Sequence, residues 1–361
     1  MLRTIGLMSG TSLDGVDAAF VETDGERIGR LGRSLTMPYD AALRADLRRL
    51  LNLAPTLAPD DAFLADVTHR LTARHAEAVA ALGEPAELIG FHGQTILHDP
   101  ARRRTWQIGD AAWLARATGT PVAHDFRSAD VAAGGQGAPF APAFHAALAA
   151  GLERPLAVLN IGGVANVTFW SGGDEIAAFD TGPGNGMIDL LVQSRDAGRF
   201  DEEGRLARAG RVDEAVLGAL LDHPYFRSPP PKSLDRHDFS LAPLQSLSLE
   251  DSAATLVAFT AEAVRLGFKL MGAAPRELVV AGGGRLNPQI MKALRERLPT
   301  RVSTAEDHGW RGDAIEAEAF AYLAARTARG LPISFPQTTG VAHPMTGGRI
   351  VRPGVGGGAP A

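Results

Sequence analysis

Residues 156–169, LAVLNIGGVANVTF, decide the fold because they repeat a pattern that already occurs at residues 3–21, RTIGLMSGTSLDGVDAAFV. In both stretches an apolar segment is followed by a turn rich in glycine and then by a second apolar segment. Short apolar runs bounded by turn residues are typical of buried β-strands. The two stretches therefore predict one strand–turn–strand unit in each half of the chain.

Two further segments recur in the same order. Residues 277–284, an apolar run ending in three glycines, parallel residues 87–94. Residues 312–314 open an alanine-rich helix, as residues 109–111 do. Three recurrences in one order predict two α/β domains of the same topology that face each other across a cleft. Ligands of open α/β sheets bind outside the carboxyl ends of the strands, where the glycine turns lie.

The length of 361 residues also favours two domains, because single hydrophobic cores rarely grow that large. We expect an N-terminal domain at residues 1–145 and a C-terminal domain at 146–350. The glycine-rich tail at 351–361 is expected to be flexible.

The composition excludes several functions. A net charge of −5 argues against nucleic-acid and polybasic membrane partners. The chain has 0 cysteines, which excludes disulfides, thiolate zinc sites and a cysteine nucleophile. No signal peptide and no apolar run of membrane-spanning length occurs, so we expect a cytoplasmic protein.

The stretch at residues 179–186, FDTGPGNG, carries the strongest functional signal. The carboxylate of Asp180 ends an apolar run, and Gly182, Gly184 and Asn185 then precede a helix-like segment. Bare backbone N–H groups at such a helix start can bind an anion. A carboxylate beside an anion site is unusual unless it binds a metal or takes a proton. The alternative is an ordinary strand-to-helix turn with an exposed aspartate.

Two other glycine turns follow predicted strands. One is the hydroxyl-rich stretch SGTSLDG at residues 9–15, which lacks the spacing of a phosphate-binding Walker loop. The other is Gly282, Gly283 and Gly284. Each alone could be a plain turn. Together, the three turns predict a nucleotide between the domains, with two turns at its phosphates and the third at its adenosine end.

The chain resembles the anhydro-N-acetylmuramic acid kinases, within the superfamily of sugar kinases, heat-shock chaperones and actin. The resemblance implies two duplicated ribonuclease-H-like (actin-like ATPase) domains facing across an interdomain cleft. Its motifs span nearly the whole chain. They are GLMSGTSLDGVD (6–17), GFHGQT (90–95), WQIGDA (106–111), HDFRSADVAAGGQGAP (124–139), NIGGVANVTF (160–169), FDTGPGN (179–185), AGGGRLNP (281–288) and EAEAFAYLA (316–324).

The implied activity is that of a cytoplasmic kinase of cell-wall recycling. It would use ATP, Mg²⁺ and water to open 1,6-anhydro-N-acetylmuramic acid and phosphorylate its 6-oxygen, giving N-acetylmuramic acid 6-phosphate and ADP. The resemblance also suggests a homodimer. The alternatives are a kinase for another small sugar or carboxylate, or a non-catalytic ATP-gated sensor of the same fold.

The resemblance assigns roles to individual residues. Asp180 would be the general base that deprotonates the water. Glu316 would contact the sugar, unless it is a solvent-facing helix residue. In the irregular stretch 124–139, Asp125 would also contact the sugar, and Arg127 could pair with its lactyl carboxylate, unless it is a surface arginine. The predicted ATP-binding residues are Gly10, Thr11, Ser12, Leu13, Asp14, Gly15, Val16, Asp17, Gly182, Gly184, Asn185, Gly282, Gly283 and Gly284.

The remaining predictions concern a metal ligand, two histidines, a tryptophan and one extended stretch. Asp14 is the candidate Mg²⁺ ligand, acting beside the phosphates, with Asp180 as the other carboxylate available. His92 and His124 have no partner at metal-ligand spacing, so they are predicted to be structural. Trp106 is predicted to be a core residue. No catalytic role is predicted for the extended stretch 232–239.

Overall fold

The computed structural model describes residues 1–10, 12–171, 176–234 and 238–354. The chain forms two compact units. One contains Met1–Ala150 and the segment that begins at Ala314, and the other is Gly151–Asp313.

Both units combine strands and helices. The strands are β1 Leu2–Ser9, β2 Gly15–Thr23, β3 Ile28–Pro38, β4 Leu88–Asp99, β5 Arg104–Ile108, β6 Val122–His124, β7 Leu156–Ile161, β8 Val164–Trp170, β9 Ile176–Pro183, β10 Glu277–Ala281, β11 Arg301–Thr304 and β12 Arg349–Val351. The helices are α1 Ala41–Leu53, α2 Ala62–Leu82, α3 Ala111–Thr118, α4 Ser128–Ala132, α5 Ala141–Leu148, α6 Asn185–Ser194, α7 Arg205–Ala209, α8 Glu214–Leu221, α9 Leu249–Leu270, α10 Pro288–Arg297, α11 Ile315–Ala328 and α12 Pro336–Thr339. Among the described residues, none of these helices is long and apolar enough to cross a bilayer.

The two sheets have the same strand order, which confirms the predicted duplication. The first runs β3-β2-β1-β4-β6 and the second runs β9-β8-β7-β10-β11. In the first sheet β1, β2 and β3 form an antiparallel group, and β4 pairs in parallel with β1. In the second sheet β7, β8 and β9 form the same antiparallel group, and β10 pairs in parallel with β7. Strand β6 then pairs in parallel with β4, and β11 pairs in parallel with β10. The first sheet is extended by β12 beside β6 and by β5 beside the end of β4.

The helix predicted after residues 312–314 is present as α11, but it does not belong to the second unit. By strand order, β11 is the counterpart of β6, yet β11 precedes Gly312. Helix α11, which follows Gly312, packs on β1, β2 and β4 of the first unit, and β12 joins the sheet of that unit. The segment from Ala314 onward therefore groups with the N-terminal residues, whereas the predicted second domain ran from 146 to 350.

Two glycines explain why α11 lies so close to the first sheet. A Cβ atom on Gly6 of β1 would lie 1.8 Å from the carbonyl oxygen of Ala317. A Cβ atom on Gly90 of β4 would lie 2.1 Å from the carbonyl oxygen of Phe320. Because neither glycine has a side chain, the helix backbone rests directly on both strands.

Each unit has its own hydrophobic core. The first is formed by β1, β2 and β4 with α1, α2 and α3. The second is formed by β7, β8, β9 and β10 around α9, whose residues are largely buried. Ser248 caps the N-terminus of helix α9, and its hydroxyl accepts a hydrogen bond from the backbone N–H of Asp251.

Candidate active site

Asp180 lies in β9, the edge strand of the second sheet. Its backbone N–H donates a 3.0 Å hydrogen bond to the carbonyl oxygen of Lys232. Its carbonyl oxygen accepts a 2.5 Å hydrogen bond from the hydroxyl of Tyr225. Its carboxylate oxygen Oδ2 accepts a 2.8 Å hydrogen bond from the backbone N–H of Leu234. All three partners lie in residues 225–234, part of which was predicted to have no catalytic role.

The carboxyl of Asp180 has an unusual ionisation equilibrium. Burial raises its pKa to about 7, although the Leu234 N–H and the Lys232 ammonium act in the opposite direction. Burial also lowers the pKa of Lys232 to about 8, and the Asp180 carboxylate opposes that change. A carboxylate whose pKa lies near neutral pH is a stronger base than an ordinary aspartate and is still ionised in part at pH 7.

The glycine turn after Asp180 does not present bare N–H groups, so that prediction is wrong for three residues. The N–H groups of Gly184 and Gly186 donate to the carbonyl oxygen of Gly163 at 3.0 and 3.1 Å. The N–H of Asn185 donates to the carbonyl oxygen of Gly162 at 2.8 Å. The turn between β7 and β8 therefore occupies the N-terminus of α6.

The glycines at 182 and 184 are required for packing. A Cβ atom on Gly184 would lie 2.4 Å from the carbonyl oxygen of Gly162. A Cβ atom on Gly182 would lie 2.7 Å from the Cβ atom of Ala263 in α9. Their small size thus allows the end of β9 to pack against the β7–β8 turn and α9. These two glycines are therefore needed for packing whether or not a ligand binds there.

Only part of the triple-glycine turn faces open space. Gly282 has a left-handed φ of 74°, and a Cβ atom there would lie 2.3 Å from Oδ1 of Asn160. A Cβ atom on Gly284 would lie 2.3 Å from Cγ2 of Ile161. For Gly283 the nearest atom would be 3.7 Å away, and for Gly163 nothing beyond its chain neighbours lies within 4 Å. Gly163 and Gly283 can therefore be approached by a ligand.

Gly163 was absent from the predicted site, although its signal was present. It lies in NIGG, the turn between β7 and β8, which is the counterpart in the second unit of the predicted phosphate turn at residues 9–15. Arg285 was also absent. Its buried guanidinium binds the carbonyl oxygen of Gly282 at 2.9 Å and the carboxylate of Asp313 at 2.7 and 2.9 Å, and it pairs with Glu306. Arg285 therefore holds the triple-glycine turn in place.

The turn at residues 9–15 in the first unit is only partly available to a ligand. Leu13 has a left-handed φ of 56°, is buried and donates its N–H to the carbonyl oxygen of Gly10 at 3.2 Å. A Cβ atom on Gly15 would lie 2.3 Å from the carbonyl oxygen of Met37, so Gly15 serves the pairing of β2 with β3. Gly10 and the exposed Ser12 have open surroundings. Thr11 lies outside the described residues.

The other predicted residues of this turn make protein contacts. Val16 is buried in β2, and Asp17 accepts a 2.6 Å hydrogen bond from the hydroxyl of Thr36. Asp14 pairs with Arg44, whose Nη2 lies 2.9 Å from Oδ1. The described residues contain no cluster of three or more His, Asp or Glu side chains that could hold a metal. One carboxylate can suffice for Mg²⁺ bound mainly through phosphates, so Asp14 stays a prediction.

Arg127 is a half-buried cation whose guanidinium bonds to two protein groups. Its Nε donates to Nε2 of His92 at 3.0 Å, and its Nη1 donates to the carbonyl oxygen of Gly137 at 2.6 Å. Burial lowers its pKa to about 10, and the negative charges of Glu316 and Asp130 oppose this change. The structure thus brings the predicted sugar ligands Arg127 and Glu316 within electrostatic reach of each other, and it places Glu316 at an exposed position of α11. Arg127 is only partly exposed, and its two bonds to protein groups distinguish it from a freely solvated surface arginine.

A cavity of about 210 Å³ lies in the first unit beside the predicted sugar ligand Asp125. Asp125 has a left-handed φ of 57°, and its Oδ2 pairs with Nε of Arg349 at 3.2 Å. The cavity is lined by Phe91, His92, Gly93, Thr105, Trp106, Gln107, Ile108, Gly109, His124, Asp125 and Ser128.

The histidines and the tryptophan of this cavity were predicted to be structural. Both ring nitrogens of His92 have partners, since Nδ1 lies 2.8 Å from the carbonyl oxygen of Gly93 and Nε2 faces Arg127. That prediction is confirmed for His92, which nevertheless lines the cavity. Trp106 packs against the core on one side and lines the cavity on the other. Burial lowers the pKa of His124.

Comparisons with known proteins agree over the whole chain. The family model for anhydro-N-acetylmuramic acid kinase matches residues 2–353. An anhydro-N-acetylmuramic acid kinase of Phenylobacterium zucineum is 62% identical, with coverage of 98% of this chain and 100% of the relative. A kinase of the same name from Acidiphilium cryptum is 59% identical, with coverage of 98% and 99%. Another from Caulobacter vibrioides is 56% identical, with coverage of 97% and 99%.

Proposed function

Because the chain belongs to the anhydro-N-acetylmuramic acid kinase family, we propose that it phosphorylates 1,6-anhydro-N-acetylmuramic acid with ATP while water opens the anhydro ring. The products are N-acetylmuramic acid 6-phosphate and ADP, and the reaction serves the recycling of cell-wall sugars. The observation that carries this proposal is the carboxyl of Asp180, whose pKa is about 7 and whose Oδ2 is held by Leu234.

The carboxylate of Asp180 takes a proton from the attacking water. The water oxygen bonds to the anomeric carbon, and the bond from that carbon to the 6-oxygen breaks. The 6-oxygen then takes the γ-phosphoryl group of ATP, and ADP leaves. Attack at an anomeric carbon passes through a state with oxocarbenium character, so a base of moderate strength is sufficient.

The sugar and nucleotide contacts are part of the proposal. Glu316, Arg127 and Asp125 bind the sugar, with the guanidinium of Arg127 on the lactyl carboxylate. Three glycines with open surroundings, Gly10, Gly163 and Gly283, let ATP approach the backbone. Mg²⁺ would neutralise phosphate charge, with Asp14 as its protein contact. The interdomain cleft, the homodimer and the cytoplasmic location stay predictions.

The test compares two sugars. Purified protein with Mg·ATP should release ADP in the presence of 1,6-anhydro-N-acetylmuramic acid, and the product mass should exceed that of the sugar by one water and one phosphoryl group. Asp180→Asn should bind ATP but lose turnover by about a hundredfold to ten-thousandfold. If only ordinary N-acetylmuramic acid is phosphorylated, the protein is a simple hexose kinase and the proposal fails.

A further inference from the structure

We propose that Tyr225 and Lys232 are positioning residues for Asp180, which they hold from the outer edge of β9. The inference rests on the proposed role of Asp180 as the base. Tyr225 and Lys232 belong to a segment outside the sheet, whereas Asp180 lies on strand β9.

The contacts to the backbone of Asp180 carry the first step. Strand β9 is an edge strand, so one side of it pairs with β8 and, among the described residues, no strand pairs with its other side. On that other side, the backbone carbonyl oxygen of Lys232 accepts a hydrogen bond from the Asp180 N–H, and the hydroxyl of Tyr225 donates one to the Asp180 carbonyl oxygen. Both polar atoms of one edge residue are thus satisfied by a segment about 50 residues away in sequence. The base cannot shift along or away from the edge without breaking these bonds.

The two positioning residues also hold each other. The ammonium of Lys232 donates a 2.8 Å hydrogen bond to the carbonyl oxygen of Tyr225 and lies 4.3 Å from the centre of its ring. The ring of Tyr225 packs edge-on against Phe226 and Phe239, with centres 5.7 and 6.4 Å apart. The hydroxyl of Tyr225 is therefore aimed at Asp180 by a packed ring and a bound cation.

The charges around Asp180 suit this role. Among the described residues, Lys232 is the charged side chain that lowers the pKa of Asp180. The pKa of the Tyr225 hydroxyl is raised by burial first and then by Asp180 and Asp238, so the hydroxyl keeps its proton and remains a donor at working pH. Lys232 therefore opposes the burial that would otherwise keep the carboxyl protonated and inactive as a base.

Covering a sheet edge could be a purely structural task, and the two roles predict different results. A structural cover would change stability when it is altered but leave the pH dependence of the reaction unchanged. A positioning role changes kcat and the acid limb of the pH profile while the KM values for both substrates stay similar.

The experiment uses the full-length chain with four variants. Tyr225→Phe keeps the packed ring and removes the hydroxyl. Lys232→Met keeps the aliphatic stem and removes the charge, and Lys232→Arg restores a cation. Lys292→Met is the matched control, because Lys292 is an exposed lysine of the same unit that pairs only with Glu296 across one helical turn among the contacts described. Each variant is measured for kcat, both KM values, the pH dependence of kcat/KM and the melting temperature.

We expect Tyr225→Phe to lower kcat about tenfold with little change in KM. Lys232→Met should move the acid limb of kcat/KM to higher pH, and Lys232→Arg should return it towards the wild-type position. Lys292→Met should match the wild type. Wild-type kcat in Tyr225→Phe, or an unmoved acid limb in Lys232→Met, would overturn the inference.

Asp180→Asn, measured in parallel, separates this inference from the proposed function. If Asp180→Asn loses turnover while the Tyr225 and Lys232 variants behave like the wild type, only the positioning role fails. If Asp180→Asn keeps turnover, the base assignment fails and the positioning role fails with it.

Discussion

The backbone N–H of Leu234 donates a 2.8 Å hydrogen bond to Oδ2 of Asp180, across 54 residues of sequence. This bond orients the carboxyl group, because a carboxylate with one oxygen bound presents the other in a defined direction. We therefore expect Oδ1 to be the oxygen that takes the proton of the attacking water. The orientation and the raised pKa together suit a general base.

The first prediction concerns the pH dependence of the reaction. Asp180 acts as a base only when it is ionised, and its pKa is about 7. We expect kcat/KM for the anhydro sugar to fall below pH 7, with an acid limb near that value. Steady-state rates between pH 5 and pH 9 would measure it. An acid limb near pH 4, the range of an ordinary aspartate, would contradict a desolvated base.

The second prediction concerns the stability cost of Asp180. The pKa of its carboxyl is raised from 3.8 to about 7 on folding, so the folded protein holds a proton that the unfolded chain releases. Stability contributed by this site is therefore present at low pH and lost as the pH rises to about 7. Asp180→Asn should stabilise the protein at pH 8 by about 2 kcal/mol after allowance for solvent screening, or about 4–8 °C in Tm, and by nothing near pH 4.

Thermal unfolding at both pH values would check this. The control is Asp222→Asn, which removes an exposed carboxylate of the same unit that pairs with Arg227. It should leave Tm unchanged at both pH values. A gain for Asp180→Asn that does not depend on pH would show that ionisation is not the cause.

The third prediction tests the open glycine of the β7–β8 turn. A methyl group on Gly163 meets no atom within 4 Å beyond its chain neighbours, so Gly163→Ala should fold normally. If ATP approaches the backbone there, the KM for ATP should rise about tenfold while the KM for the sugar changes little. Gly151→Ala is the control, since Gly151 is equally open and equally exposed but lies at the start of the unit, outside the β7–β8 turn. An unchanged affinity for ATP in Gly163→Ala would remove this turn from the nucleotide site.

The fourth prediction tests Arg127 as the ligand of the lactyl carboxylate. Guanidinium has five N–H donors, and the contacts to His92 and Gly137 use two of them. Arg127→Lys cannot make two parallel bonds to a carboxylate, so the KM for the anhydro sugar should rise about tenfold or more while that for ATP stays similar. The comparison substrate is 1,6-anhydro-N-acetylglucosamine, which lacks the lactyl group.

With that substrate, wild type and Arg127→Lys should perform alike. An equal loss on both substrates would mean that Arg127 acts only by holding the loop at His92 and Gly137.

Local patterns in the sequence were sufficient to predict the duplicated strand–turn–strand units at the core of the two sheets. The strand–turn–strand repeats at 3–21 and 156–169 became β1–β2 and β7–β8. Asp180, predicted to end a strand before a glycine turn, lies within β9, which continues to Pro183. Such patterns are visible because alternation and turn residues act between near neighbours. The placement of α11 was not visible. It depends on the missing side chains of Gly6 and Gly90, which matter only once a helix from the other end of the chain packs on them.

The sequence by itself determined the two-domain α/β fold, the glycine turns and the family. Only the tertiary structure decided what those residues contact. The N–H groups at the start of α6 bond to the carbonyl oxygens of Gly162 and Gly163, while the Cα of Gly163 faces open space. The tertiary structure also placed Lys232 and Leu234 against Asp180. The physical reason is that the pKa of a carboxyl depends on burial and on charges a few ångströms away, and those neighbours come from parts of the chain that no local pattern connects.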